Sequence, residues 1–173
     1  MTQDRDQMTG DRRQNFSTPA KTSHQKAMNT AVRILTNRDH SKYELKQKLQ
    51  QRGFASKVID TVIAECERLD YINDPRTAHI YILQLKRKCF GKRYIRMALK
   101  KKRLRGAVVE NLLLENYPEA DERENAGKML EKKRQTFEPE EDLKKRKEKT
   151  YRFLCSRGFS KDVITNLIRD LVK

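Results

Sequence analysis

From about residue 23 onward, apolar positions recur with the period of an α-helix. Ala27, Ala31, Ile34 and Leu35 form the stripe of a first helix. Ser41-Lys42-Tyr43-Glu44 then has the pattern of a capping box, in which the Ser41 hydroxyl accepts from the Glu44 amide and the Glu44 carboxylate reaches back. The helix so opened carries Leu45 and Leu49 inward and stops at Gly53, which suits a left-handed C-terminal position. Asp74-Pro75 reads as another start, with Asp74 as N-cap and Pro75 at the first helical position. Short runs such as residues 108–114 imitate a strand, but strand patterns are weak elsewhere, so an all-α fold is expected. Residues 1–22 have no periodicity and, of large apolar residues, only Met1, Met8 and Phe16; they read as a disordered polar tail.

The helical pattern repeats. Leu49…Arg52-Gly53-Phe54 aligns with Leu154…Arg157-Gly158-Phe159, and Leu99…Lys102-Arg103-Leu104 fits between them, at offsets of 50 and 55 residues. Downstream, Val58-Ile59, Val108-Val109 and Val163-Ile164 coincide, as do Val62-Ile63, Leu112-Leu113 and Leu167-Ile168. Each unit reads as helix, helix, short turn, helix. Phe54 with Ile59, and Phe159 with Ile164, have the spacing of a hydrophobic staple at the entry to the third helix. Three units of roughly 50 residues match the length of known helical repeats. The expected division is a tail at 1–22 and three-helix units at 23–73, 74–117 and 118–173. Tandem units that touch mainly their neighbours give an elongated, curved, solenoid-like rod.

Composition narrows the function. The 173 residues include 40 Lys and Arg against 24 Asp and Glu, a net charge of +16, which calls for an acidic partner. Hydrophobic residues are 36% of the chain, below the 45–50% or so of globular proteins, which leaves material for small cores only. No apolar run approaches the roughly 20 residues of a membrane span, and the N-terminus lacks the apolar core of a secretory signal. Cys66, Cys89 and Cys155 are odd in number and widely spaced, which suggests reduced thiols in a cytoplasmic protein.

Candidate chemistry is concentrated in residues 86–105, which hold eleven Lys and Arg and no acid. On the helix after Gly91, a wheel puts Lys92, Arg93, Arg96, Lys100 and Arg103 on one side. Ile95, Ala98, Leu99 and Lys102 lie on the other, with Tyr94 at the edge. Like charges uncompensated along a helix repel, which is easier to understand if an anion is the partner. The expected partner- or phosphate-binding residues are therefore Lys86, Arg87, Lys92, Arg93, Arg96, Lys100, Arg103 and Arg105. Because Lys92, Arg93 and Arg96 point away from Ile95 and Leu99, reversing their charge is expected to leave the packing intact. A second basic region, Lys132-Lys133-Arg134 and Lys144–Arg152, is diluted by Glu138, Glu140, Glu141, Asp142 and Glu148 and reads as helix solubility. Glu115, Glu119, Asp121, Glu122 and Glu124 surround Pro118 and read as carboxylates at the positive end of a helix. His24, His40 and His79 are too scattered for a metal set, no phosphate-cradling glycine loop occurs, and no acid pair has an apolar pocket. No metal, no cofactor and no enzymatic activity are expected.

An ordered set of segments resembles the RecX family of bacterial recombinase modulators. The matching parts are Arg38–Leu45, the Leu49…Arg52-Gly53-Phe54 turn, Leu69-Asp70-Tyr71-Ile72-Asn73-Asp74, Arg76-Thr77-Ala78, Gly91–Ile95, and Arg152-Phe153-Leu154…Arg157-Gly158-Phe159. The resemblance implies three tandem three-helix units that bind RecA and its filament on DNA. It also implies inhibition of RecA ATP hydrolysis, strand exchange and the repressor cleavage of the SOS response. On this reading the chain is a monomer whose partner is RecA and its nucleoprotein filament, with direct contact to single- or double-stranded DNA left open. Two features depart from the family pattern. Lys102-Arg103-Leu104 stands where the outer units have Arg-Gly-Phe, so the middle turn is expected to differ, and the polar leader is an addition. The competing readings are a non-sequence-specific DNA-binding protein of helix-turn-helix-like units, and a nuclease. Third helices beginning Ala55-Ser56-Lys57 and Gly106-Ala107 are poor for base readout, and a nuclease would need clustered acids.

Overall fold

The computed structural model describes residues 19–137 and 142–170, and among these residues it contains nine helices and no strand. They are α1 (Pro19–Asn37), α2 (Lys42–Gln50), α3 (Ser56–Arg68), α4 (Asp74–Arg87), α5 (Lys92–Lys101), α6 (Ala107–Asn116), α7 (Glu119–Phe137), α8 (Leu143–Ser156) and α9 (Lys161–Asp170). Helix α1 starts at Pro19, four residues before the periodicity does. The expected disorder of residues 1–18 lies outside the described residues, as do Glu138, Glu140 and Glu141.

The helices pack in threes. The pairs α1–α3, α2–α3 and α1–α2 form the first group, α4–α6 and α4–α5 the second, and α7–α9, α8–α9 and α7–α8 the third. Each group closes on its own apolar cluster. Ala27, Ile34, Leu45, Leu49, Ile59 and Val62 are in the first, Ile82, Ile95, Leu99, Leu113 and Tyr117 in the second, and Leu130, Leu154, Phe159 and Ile164 in the third. The paired apolar positions of the repeat supply these clusters: Ile59, Val109, Val163 and Ile164 are buried, as are Val62, Ile63 and Leu113. Leu112, Leu167 and Ile168 pack at the margins. Phe54 packs against the cluster of Ile59, and Phe159 shares one with Ile164, as staples require.

Local signals work as the sequence implies at α2. Ser41 accepts from the Glu44 amide, the Glu44 carboxylate accepts from the Ser41 amide, and the capping box is complete. The turn after α2 has Gly53 at φ 79°, with Phe54 N–H bonded to the Leu49 carbonyl and Gly53 N–H to that of Gln50. This is a Schellman motif. The turn after α8 repeats it with Gly158 at φ 78° and Phe159 N–H bonded to Leu154. The middle turn does not differ as expected. Arg103 adopts φ 60°, Leu104 N–H bonds to Leu99 and Arg103 N–H to Lys100, so an arginine holds the left-handed position that glycine holds in the outer units. The start of α4 also differs from expectation. Asn73, not Asp74, is the N-cap and accepts from the Arg76 amide, while Pro75 falls in the first turn. Asp74 is used elsewhere.

That use defines the joints between groups. The Asp74 carboxylate accepts from the amide of Lys42, the first residue of α2, at 2.9 Å. In the next joint the Glu122 carboxylate accepts from the amide of Lys92, the first residue of α5, at 3.0 Å. An acid in the first turn of one group thus caps the second helix of the group before it. Each joint has a second arm. Ser41 Oγ donates to the Lys102 carbonyl at 2.8 Å, and Gly91 N–H donates to the Arg157 carbonyl at 3.0 Å. The turn after one second helix therefore sits on the start of the preceding one, and the device is built twice. At the second joint the backbones meet directly: a Cβ on Gly91 would lie 2.3 Å from the Gly158 carbonyl, and one on Gly158 would lie 2.4 Å from the Tyr94 nitrogen. Only glycine permits that approach.

Candidate partner interface

The eight basic residues singled out from the sequence do not share one fate. Three are held by acids. Lys86 at the end of α4 donates to Asp121 and to the Asn116 carbonyl, and its ammonium lies over the Tyr117 ring. Lys92 is mostly buried, with its ammonium 3.8 Å from Glu122. Arg96 makes a forked pair with Glu110 across α5 and α6. Its hydrogen bonds raise the guanidinium further and hold the Glu110 carboxyl below its ordinary value. Charge reversal at Lys92 or Arg96 would therefore set two carboxylates against each other, contrary to the expectation that packing would be untouched. A helical wheel shows only one helix, and the acids come from two others.

The other five, Arg87, Arg93, Lys100, Arg103 and Arg105, are exposed, and none is in an ion pair among the described residues. Arg93 and Lys100 lie on the outer side of α5 with Met97, which is 57% exposed, between them. Arg103 reaches back to the first group, its guanidinium 5.4 Å from the centre of the Tyr43 ring. Lys102, which the wheel put on the packing side, bridges the same joint: it pairs with Glu44 and lies over the Tyr81 ring. Arg38 also binds Glu44. Burial by itself would raise the Glu44 carboxyl, but the hydrogen bonds from Lys102, Arg38 and the Ser41 amide hold it down at about 2.

The sequence did not reveal Glu122. It reads as one of several carboxylates at a helix start, yet it is 1% exposed. Besides Lys92 N–H it accepts from the Ser160 amide at 3.2 Å and the Ser160 hydroxyl at 3.4 Å, tying α5, α7 and the start of α9 together. Asn125 reinforces the joint by donating to the Lys86 carbonyl and the Tyr117 hydroxyl. Among the described residues no group of three or more His, Cys, Asp or Glu could hold a metal ion, and no helix is long and apolar enough to cross a membrane. Cys66 and Cys89 are buried free thiols and Cys155 is half-buried.

Two segments of the chain match described domains in order. Residues 27–66 match the first three-helix domain of RecX, and residues 120–168 match the third. The chain belongs to the RecX family. A Regulatory protein RecX of Vibrio vulnificus (strain CMCP6) is 38% identical over 141 residues, covering 82% of this chain and 90% of that one. Another, of Legionella pneumophila (strain Corby), is 34% identical over 148 residues, covering 84% and 95%. The crystal structure of RecX from Lactobacillus salivarius has a TM-score of 0.77 at 24% identity, covering 87% of this chain and 97% of that one, and so shares the fold. These relatives, each named a regulatory protein, support a regulatory role.

Proposed function

We propose that the chain is a negative regulator of RecA that binds the RecA–DNA filament and lowers its ATPase, strand-exchange and coprotease activities. It acts as a non-enzymatic cytoplasmic monomer, with units at 23–73, 74–117 and 118–173 laid along the filament as a curved rod. The observation that carries this reading is the set of exposed cations Arg87, Arg93, Lys100, Arg103 and Arg105 on a chain whose relatives are named regulatory proteins. Phosphates exposed on a filament suit such a set. Lys86, Lys92 and Arg96 support the surface indirectly, by fixing α4 and α5 in place.

The test is inhibition of RecA ATP hydrolysis across a salt series by the triple variant Arg93→Glu, Lys100→Glu, Arg105→Glu, with circular dichroism reporting the fold. Each phosphate that the variant no longer neutralises should reduce the log–log salt slope by about 0.7–0.9. The control is Lys144→Glu with Lys145→Glu, where Asp142 already offsets the charge and a smaller effect is expected. Equal inhibition by the triple variant and wild type at every salt concentration would make the α5 surface merely solvated.

A further inference from the structure

The two joints follow one plan but are not built alike. Two backbone hydrogen bonds cross the second: Gly91 N–H donates to the Arg157 carbonyl at 3.0 Å, and Arg93 N–H to the Gly158 carbonyl at 2.9 Å. Among the described residues no backbone-to-backbone bond crosses the first joint. There Ser41, Asp74, Thr77 and the Glu44–Lys102 pair do the bridging, each through a side chain. Apolar closure differs in the same sense. Cys89, from the turn after α4, is buried in the cluster of the third group, and Gly91 meets Gly158 at a distance only glycine allows. The buried members of the first cluster all lie between residues 27 and 72 and those of the second between 78 and 117, so neither core reaches across the first joint. A cleft of about 210 Å³ opens there instead, lined by Arg38 and Asp39 from one group and Thr77, Tyr81 and Lys102 from the next.

The covalent links complete the contrast. Between the second and third groups the chain runs through Pro118, whose ring fixes its own φ and restricts Tyr117 before it. Between the first and second it passes from Ile72, buried in the first cluster, straight to Asn73, the N-cap of α4. Side-chain bridges around an open cleft break and re-form without unfolding either group, whereas backbone bonds backed by close packing do not. We propose that the first joint is a hinge, about which α1–α3 swing as one body against α4–α9 as a second. The pivot is the Ile72–Asn73 crossing, and opening exchanges the bridges of Ser41, Glu44 and Asp74 for water. Glu44 keeps a partner when Lys102 leaves, because Arg38 of its own group also binds it. The angle between the two bodies is therefore set when a partner binds. This hinge belongs to the unbound chain and does not depend on what the partner is.

The test uses the full wild-type chain in solution, read by NMR. Lys42 and Lys92 are matched probes: each is half-buried, opens its helix, and has its amide bonded to a carboxylate across a joint. Hydrogen exchange corrected for intrinsic rate should show the Lys42 amide at least about tenfold less protected than those of Gly91, Lys92 and Arg93. Amide residual dipolar couplings should fit α4–α9 with one alignment tensor and α1–α3, the smaller body, with a second of lower magnitude. Lys102→Met removes the Glu44 bridge and leaves the second joint untouched. It should lower the order of α1–α3 further without changing the α4–α9 tensor. One tensor of equal magnitude for all nine helices would overturn the hinge, as would Lys42 protection equal to that of Lys92. A separate tensor for α7–α9 would overturn the union of the second and third groups.

Discussion

Three turns that follow second helices use one backbone geometry with two kinds of residue. Gly53 and Gly158 take positive φ without cost, whereas Arg103 takes it against the steric preference of a side chain. A side chain kept at such a position invites a functional explanation, and Arg103 is exposed beside Tyr43. We predict that Arg103→Gly leaves the melting temperature unchanged or higher while weakening RecA inhibition; a destabilised variant with full inhibition would contradict this. The two glycines also differ. A methyl at Gly53 meets nothing within 4 Å, while one at Gly158 runs into the Tyr94 backbone. Urea melts should show Gly53→Ala losing about 1 kcal/mol, from backbone strain alone, and Gly158→Ala losing at least about 2 kcal/mol, from strain plus overpacking. Equal losses would mean that the second joint does not depend on that close approach.

At the scale of elements, the joints are cooperative caps. Removing the buried Glu122 side chain would leave the half-buried Lys92 and Ser160 amides without this acceptor, so Glu122→Ala should lower stability by about 2–4 kcal/mol. Glu122→Gln, which keeps an acceptor oxygen, should lose less, and Glu119→Ala, at an exposed site on the same turn, should be near neutral. Chemical denaturation of the three variants checks the order. The first joint adds a pH signature. A carboxylate held at about 2 contributes stability that is full above its ordinary value near 4.5 and is lost as pH falls toward 2. Glu44→Gln should therefore flatten stability across that interval, and an unchanged acid limb would contradict the Glu44–Lys102–Arg38 pairing. Much at this scale is legible in the sequence because it is local: the capping box at Ser41, the staples at Phe54 and Phe159, and the left-handed glycines all involve partners within six residues. The joint caps were not legible. Asp74 and Glu122 serve amides 32 and 30 residues away, so Asp74 reads as a cap of its own helix and Glu122 as a dipole charge.

At the scale of the molecule, the threefold repeat and the all-α fold follow from periodicity, and the region of the candidate surface follows from a run of cations without acids. Its membership does not. Lys92 and Arg96 share a wheel with Arg93 and Lys100, yet the packing of α5 against neighbours turns the first two toward Glu122 and Glu110. What remains exposed of the eight singled-out residues is Arg87, Arg93, Lys100, Arg103 and Arg105. The most direct measurement is co-sedimentation of the wild-type chain with RecA, compared with and without nucleotide and single-stranded DNA. Retention should be strongest when all three assemble the filament, well above retention by RecA alone or by the same DNA alone. Retention no greater with the filament than with the naked strand would contradict it.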